Sequence, residues 1–393
     1  MVYPAQRRDR TSNEQMNNFR QLEPGDVGPG FAQRSTSNPR YVLGTAAGRY
    51  LVLCFFHSAA QPIAAKALDA ALARTDLFND RFASFFGIST DPTDETEGRV
   101  TERVPGYRYF WDFDLSASRL YGAAPREPAQ DSAQDAMRRG LWVVLDPTMR
   151  VIATFPMTRD SAELNRVFAC LEGLPPPERF AGIPLQAPIL YLPRVFEADF
   201  CQRLIAAHDA QGGETSGFMR QIDGRTVRVN DARHKVRRDV NITDPALIAA
   251  VQERIMRRVV PEIAKVHQFY ATRMERYLVA CYAADDGGHF APHRDNTTSG
   301  TAHRRFAVSI NLNDDFDGGA VAFPEYGPQA FKAPTGTAVV FSCSLLHSVS
   351  RVTRGQRYAF LPFVYDDAAA RIRAANRHLL DIAPDKPTQA ATD

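Results

Sequence analysis

GGHFAPHRDN, residues 287–296, is the stretch on which the reading of this chain turns. His293 and Asp295 are two positions apart. Side chains of an extended segment alternate between faces, so these two share one. Gly287, Gly288 and Pro292 argue against a helix here, which removes His289 and His293 as a helical metal pair. His289 is then expected in a loop at the mouth of a pocket. A second imidazole, His347, lies in FSCSLLHSVSRVTRGQRYAF, residues 341–360. Two imidazoles and a carboxylate make a facial set that suits Fe(II) and leaves the opposite positions open. Arg357 follows in the same stretch, a permanent cation whose planar fork matches a carboxylate. An open iron site beside an anchor for a dicarboxylic acid meets the needs of 2-oxoglutarate.

With nine His in the chain, a lone His-x-Asp is weak. Its setting is stronger. RRFAVSINL (304–312), GGAVAF (318–323), GTAVVFSCSLLH (336–347) and QRYAFLPFVY (356–365) read as short strands, with NDDFDGG as a turn. Such a run, with ligands at both ends, predicts a jelly-roll double sheet. The plain alternative is a β-sandwich with incidental surface histidines.

LVACYAADDGGHFAPHRDN (278–296), SINLNDDFDGGAVAFPE (309–325) and residues 341–360 resemble Fe(II)/2-oxoglutarate dioxygenases of the prolyl-hydroxylase branch. The likeness extends to both the collagen-type and the oxygen-sensing members. It spans roughly residues 188–367 and is densest over 277–365. It implies that His293, Asp295 and His347 hold iron. Arg357 would pair with the distal carboxylate of 2-oxoglutarate, where collagen-type members often have Lys. Tyr282 and Asn311 complete the implied cosubstrate set, Asn311 standing where an aromatic residue is common. The implied reaction consumes O2 and hydroxylates an unactivated C–H of a peptidyl, prolyl or amino-acid-like substrate, releasing succinate and CO2. It needs no catalytic side chain beyond the metal ligands. Ascorbate is a further candidate cofactor.

The 393 residues suffice for two domains. Five scattered Cys suit reduced thiols rather than a disulfide framework. Together with a start lacking a secretory h-region, they predict a cytoplasmic protein. No apolar run is long enough for a membrane span. The net charge of +2 does not call for nucleic acid.

Residues 1–20 are polar and predict a flexible tail. In 21–175, RYLVLCFF (49–56) reads as a buried strand, QPIAAKALDAALART (61–75) as a helix and FASFFGIST (82–90) as a strand. LWVVLDPTMRVIATF (141–155) reads as two strands, and SAELNRVFACLEGL (161–174) as a helix with Ser161 as N-cap. This alternation predicts an α/β domain. LEPGDVGPGF (22–31), YLVLCFFHSAAQP (50–62), FGISTDP (86–92), FWDFDLSASRLYGA (110–123) and WVVLDPTMRVIATF (142–155) resemble peroxiredoxins, which implies a thioredoxin-like fold and a homodimer through this domain. Those enzymes place a reactive Cys at a helix N-terminus after a Pro-containing loop. In HSAAQPIAAKA (57–67) that position is Ala64, and Cys54 lies inside an apolar strand. The domain is therefore expected to be non-catalytic. A thiol peroxidase with an accessory β domain, or a non-catalytic sensor of oxygen or 2-oxoglutarate, are the alternative functions.

GLPPPERFAGIPLQAP (173–188) is a Pro-rich linker centred on 176–187, with the dioxygenase-like domain at 188–367 and a C-terminal helix and tail at 368–393. ILYLPRVFEADFCQRLIAAHDA (189–210) reads as a strand and a capped helix, and 246–268 carries helical periodicity. Residues 220–240 are rich in Arg and Lys. They read as a solvated loop, or more sharply as a lid favouring an acidic partner. Aromatic residues are not interleaved with them, so no base-stacking platform is visible. His303 is expected in solvent, Cys343 on the strand face of His347, and His208, His234, His267 and His378 without chemistry.

Overall fold

The computed structural model describes residues 18–126 and 138–381, which form two compact units divided between Leu185 and Gln186, with Glu325–Gly327 assigned to the first. Of the tail expected at 1–20, residues 1–17 lie outside the described residues. Phe19 is not tail-like: it is buried and bridges Pro125.

The N-terminal unit is built on a seven-stranded sheet in the order Tyr41–Val42, Ala32–Ser35, Tyr107–Trp111, Ala83–Ser89, Tyr50–Phe56, Leu141–Leu145, Val151–Pro156. Tyr107–Trp111, Ala83–Ser89 and Tyr50–Phe56 run parallel, and the last two strands antiparallel. The central strands are buried along their whole length, as strands covered on both faces must be. Tyr50, Val52, Cys54 and Phe56 meet one face of helix Pro62–Leu72 and the apolar side of helix Glu163–Glu172. Phe55, pointing the other way, packs on Tyr121 of helix Ser116–Tyr121. Three parallel strands, two antiparallel ones and helices on both faces make a thioredoxin-like α/β layer.

Ser161 is not the N-cap. It adopts a left-handed backbone, φ 58°, and Ala162 precedes the first helical residue. The Glu163 carboxylate instead reaches back to the Thr158 N–H and hydroxyl, so the first turn is closed from inside the helix.

The second unit has two facing sheets. The minor sheet runs Lys235–Val236, His289–His293, His347–Val349, Val321–Ala322, Ala330–Phe331. The major sheet runs Arg273–Glu275, Phe363–Tyr365, Phe306–Asn311, Gln356–Phe360, Leu278–Ala283, Arg238–Asn241, Glu214–Thr215. Ala338–Ser342 joins it through Phe306–Asn311 and carries Leu190–Leu192. Alternation sorts the residues. Val279, Val308, Ile310 and Phe360 form the outer core with Phe200, Leu204, Val251 and Ile255 of the bracing helices Ala198–Asp209 and Pro245–Arg258. Leu278, Ala280 and Tyr282 face inward against Val349, Phe316 and Phe290. This is the jelly-roll with bracing helices.

The helical periodicity of 246–268 is carried by two helices, Pro245–Arg258 and Val260–His267. Pro261 has no N–H for a continuous ladder, so the first helix ends before it. Two expectations need correction here. Residues 220–240 are not one solvated loop. They form a hairpin, Phe218–Ile222 with Arg225–Val229, followed by two short strands, one in each sheet. Finally, helix Asp367–Ala375 is followed by Leu380–Asp381, which pairs parallel to Arg225–Val229. Residues 382–393 of the expected tail lie outside the described residues.

Candidate metal and cosubstrate site

His293 ends its minor-sheet strand and stands directly opposite His347, the first residue of the neighbouring one. A register shift between Phe290 and His293 bends the strand there. Asp295 follows two residues later, its N–H donating to Cys343 O at 3.0 Å. His293 Nε2 lies 3.6 Å from Asp295 Oδ1, and His347 Nε2 lies 3.4 Å from Asp295 Oδ2. The ligand atoms of the three residues all fall within 4.8 Å of one another. Both Nδ1 atoms face main-chain carbonyls, Ala291 O at 2.9 Å and Leu345 O at 3.1 Å. Those bonds place the ring protons on Nδ1, which leaves the Nε2 lone pairs free for a metal.

Burial, and then the neighbouring His347, lowers the His293 pKa to about 4. At neutral pH it is the uncharged imidazole that a metal requires. Burial works against the Asp295 carboxylate, but His347, His293 and Arg304 outweigh it and hold the group below its ordinary range. The chemistry and convergence of this donor set fit Fe(II).

Arg357 lies on the inner face of the major sheet, opposite Tyr282, and is 2% exposed. Its Nε donates to Asn311 Oδ1 at 2.9 Å and one terminal nitrogen donates to Ser309 Oγ at 3.0 Å. The other, Nη1, is buried without a hydrogen-bond partner among the described residues. A buried donor left unpaired is costly, so an acceptor belongs there, as the distal carboxylate of 2-oxoglutarate would supply. The Arg357 guanidinium carbon sits 5.3 Å from the centre of the Tyr282 ring. The Tyr282 hydroxyl accepts from Arg237 Nη1 at 3.2 Å. Asn311 is spent on Arg357 and on Ala333 O, so its side chain acts on the pocket through the guanidinium it holds. Gly319, with φ 63°, lets the chain cross Arg357: a Cβ there would stand 2.9 Å from Arg357 Cδ.

Several residues lie elsewhere than expected. His303 is buried rather than solvated, with Nε2 3.0 Å from Glu275 Oε2. Cys343 sits in the turn before His347, not on its strand, and contributes a carbonyl. His289 begins a strand, with Nδ1 2.8 Å from Gly287 O. His234, given no chemistry, has its ring 5.5 Å from Phe290 and 6.4 Å from His293. Sequence reasoning missed Ser309, Lys235 and Arg237. Lys235 and Arg237 are buried in a stretch read as solvated. The available signal was the period-two spacing of Lys235, Arg237 and Asp239, which puts three ionisable groups on one face of an extended chain.

Residues 277–365 match the 2OG-Fe(II) oxygenase superfamily. A PKHD-type hydroxylase from a Synechococcus strain is 26% identical over 177 residues, covering 42% of this chain and 73% of that protein. PKHD-type hydroxylase PiuC of Pseudomonas aeruginosa is 27% identical over 184 residues, covering 44% of this chain and 75% of its own. Similar solved structures include a Trichoplax adhaerens prolyl hydroxylase in complex with a hypoxia-inducible-factor peptide fragment, at 16% identity and TM-score 0.36, covering 48% of this chain and 86% of that one. Xanthomonas campestris peroxiredoxin Q is also similar, at 17% identity and TM-score 0.29, covering 36% of this chain and 89% of its own. No helix among the described residues is long and apolar enough to cross a membrane. Residues 277–365 are a 2OG-Fe(II) oxygenase domain, and the chain is a 2-oxoglutarate-dependent hydroxylase related to the PKHD-type hydroxylases.

Proposed function

We propose that this enzyme hydroxylates an unactivated C–H bond of a peptidyl, prolyl or amino-acid-like substrate. His293, Asp295 and His347 hold Fe(II) in this reading, and Arg357 takes the distal carboxylate of 2-oxoglutarate. The observation that carries it is the convergence of two imidazole nitrogens and a carboxylate in the same double sheet as a buried guanidinium with a free donor. Bound there, iron and 2-oxoglutarate supply an O2-dependent oxidative decarboxylation that yields succinate and CO2 and delivers one oxygen to the substrate. The chain's own part is positioning and exclusion of water. Ala291 O and Leu345 O fix the imidazole planes. Asn311 and Ser309 fix the guanidinium, and Tyr282 covers its face. No side chain is needed as general acid or base.

The N-terminal unit takes no part in thiol chemistry in this reading. Cys54 is fully buried, which raises its thiol pKa well above the ordinary value, and Ala64 occupies the position where a peroxidase needs sulfur. The deciding experiment supplies Fe(II), 2-oxoglutarate and ascorbate to the purified protein, measures succinate, and searches candidate substrates by mass spectrometry for one added oxygen. No succinate under any condition overturns the reading.

A further inference from the structure

The space between the two sheets holds more positive charge than the cosubstrate uses. A divalent iron and Arg357 together match Asp295 and the two carboxylates of 2-oxoglutarate. Arg237 is matched by Asp239, to whose oxygens its Nε and Nη2 donate at 2.6 Å each. Arg304 and His303 share Glu275. Lys235 remains. It is 7% exposed, and its ammonium donates to Ser216 Oγ and Gly217 O, both at 2.6 Å. Both acceptors are uncharged, and they use two of the three ammonium donors. Asp239 accepts from Ser216 and Arg237 and lies 3.6 Å from Arg276, but it makes no ion pair with Lys235. Asp239 and Asp295 act on it only at a distance, and a buried cation without a direct ion pair is a costly arrangement of the kind that clusters where ligands bind.

Its place in the fold points the same way. Lys235 stands opposite Phe290 across the minor sheet, with its ammonium 5.0 Å from the ring centre. The other neighbour of that ring is the metal-ligand candidate His293, stacked at 3.5 Å. One aromatic ring therefore separates the spare cation from the candidate metal centre. Burial, and then Arg237, pushes the amine pKa well below its usual value, which an arriving anion would reverse. The adjoining hairpin adds a further cation: Arg220 lies over Phe218, whose ring is 4.3 Å from that of His234, the residue before Lys235.

We propose that Lys235 anchors a carboxylate of the primary substrate, so that the molecule hydroxylated is a carboxylic acid seated beside the Phe290 ring. The proposal rests on the dioxygenase reading above and narrows its substrate class. The carboxylate belongs either to a free acid of amino-acid size or to an acidic residue of a peptide.

The test uses the full chain with Fe(II), 2-oxoglutarate and O2. One arm adds free L-amino acids, each paired with its primary amide. The other adds short peptides, each Glu-containing member paired with its Gln counterpart. Succinate formation and a gain of one oxygen are read for every pair. Acids are expected to respond and their amides not to, and the responding arm identifies the source of the carboxylate. Lys235→Met is expected to raise the KM of the responding acid by about 10- to 100-fold, the cost of a charge-assisted contact. Lys235→Arg should restore part of that loss, and the KM for 2-oxoglutarate should be spared. The acid–amide comparison needs no variant, so it decides even if Lys235→Met fails to fold. An amide that responds as well as its acid, no response to any acid in either arm, or an unchanged KM in Lys235→Met overturns the proposal. Succinate formed with no panel member present reports on the dioxygenase reading alone. No succinate with or without any panel member sinks that reading, whereas succinate without any acid response sinks only this one.

Discussion

Arg357 shows how one side chain can be tied down and still be available. Asn311 and Ser309 consume two of its donor groups, Gly319 leaves room for its stem, and Nη1 stays unspent. Arg357→Ala is expected to raise the KM for 2-oxoglutarate by about 10- to 100-fold through loss of a charge-assisted contact worth roughly 1.5–3 kcal/mol. Arg357→Lys should be milder, since a point charge remains but the fork does not. Initial-rate titration of the cosubstrate checks both, and an unchanged KM in Arg357→Ala would assign the carboxylate to another residue. His293→Ala and His347→Ala should each cut Fe(II) affinity and turnover, on the order of 100-fold or more, because even groups that merely support metal ligands cost 10–100-fold. Metal analysis after dialysis gives the first figure and succinate release the second. The nearness of His293, Asp295 and His347 was legible because a short motif and a strand pattern suffice to align them. Lys235 was hidden because its burial depends on the partner strand Phe290 belongs to, and a basic run looks the same whether solvated or enclosed. His303 was hidden likewise, since its partner Glu275 lies in a strand that no local pattern pairs with it.

At the scale of elements, Glu275 ties three segments together. It sits in strand Arg273–Glu275, faces His303 and Arg304 of the loop after Asp295, and lies 3.2 Å from Arg373 of helix Asp367–Ala375. Arg304 in turn donates to Asp295 O at 3.4 Å. Burial would raise the Glu275 pKa, but His303 and Arg304 win and bring it down to about 2 from 4.5. A depressed folded pKa means stability that is complete above the unfolded value and lost as pH falls through the folded one. The window thus runs from about pH 4.5 down to about pH 2, and the contribution is on the order of 3 kcal/mol at neutral pH. Glu275→Gln is expected to lower the melting temperature at pH 7 and to converge with the parent near pH 2. Parallel melting curves across that range, with a constant gap, would contradict it. The long buried strands and the helices flanking them were readable from hydrophobic period alone. Two-residue strands such as Lys235–Val236 were not, because their pairing is set by tertiary contacts rather than by propensity.

For the whole molecule, each unit has its own core. The N-terminal unit preserves a thioredoxin-like layer around a buried Cys54 and an Ala64 with no nucleophile. In the proposed reading it acts through its surface, for assembly or for presenting substrate. Cys54→Ser is expected to leave hydroxylation unchanged and to reveal no lost peroxide consumption. Removing residues 1–175 should change association state or substrate KM more than iron content, measured by light scattering, kinetics and metal analysis. Unchanged association and unchanged kinetics would show the unit to be dispensable.

The short pairing of Leu380–Asp381 with Arg225–Val229 has a practical consequence. Gly300, just past Asp295, sits so close to Leu380 that an added Cβ would stand 2.2 Å from Leu380 Cδ2 and 3.1 Å from Thr226 Cβ. The hairpin is further pinned to this loop by Thr226 Oγ1 and Gln221 Oε1, which accept from the Gly300 and Ser299 N–H groups. Leu380 and the hairpin therefore brace the loop after Asp295 together. A chain ended at Arg377 is expected to keep the His293, Asp295 and His347 cluster while the hairpin's amides exchange with solvent faster, as hydrogen exchange would read.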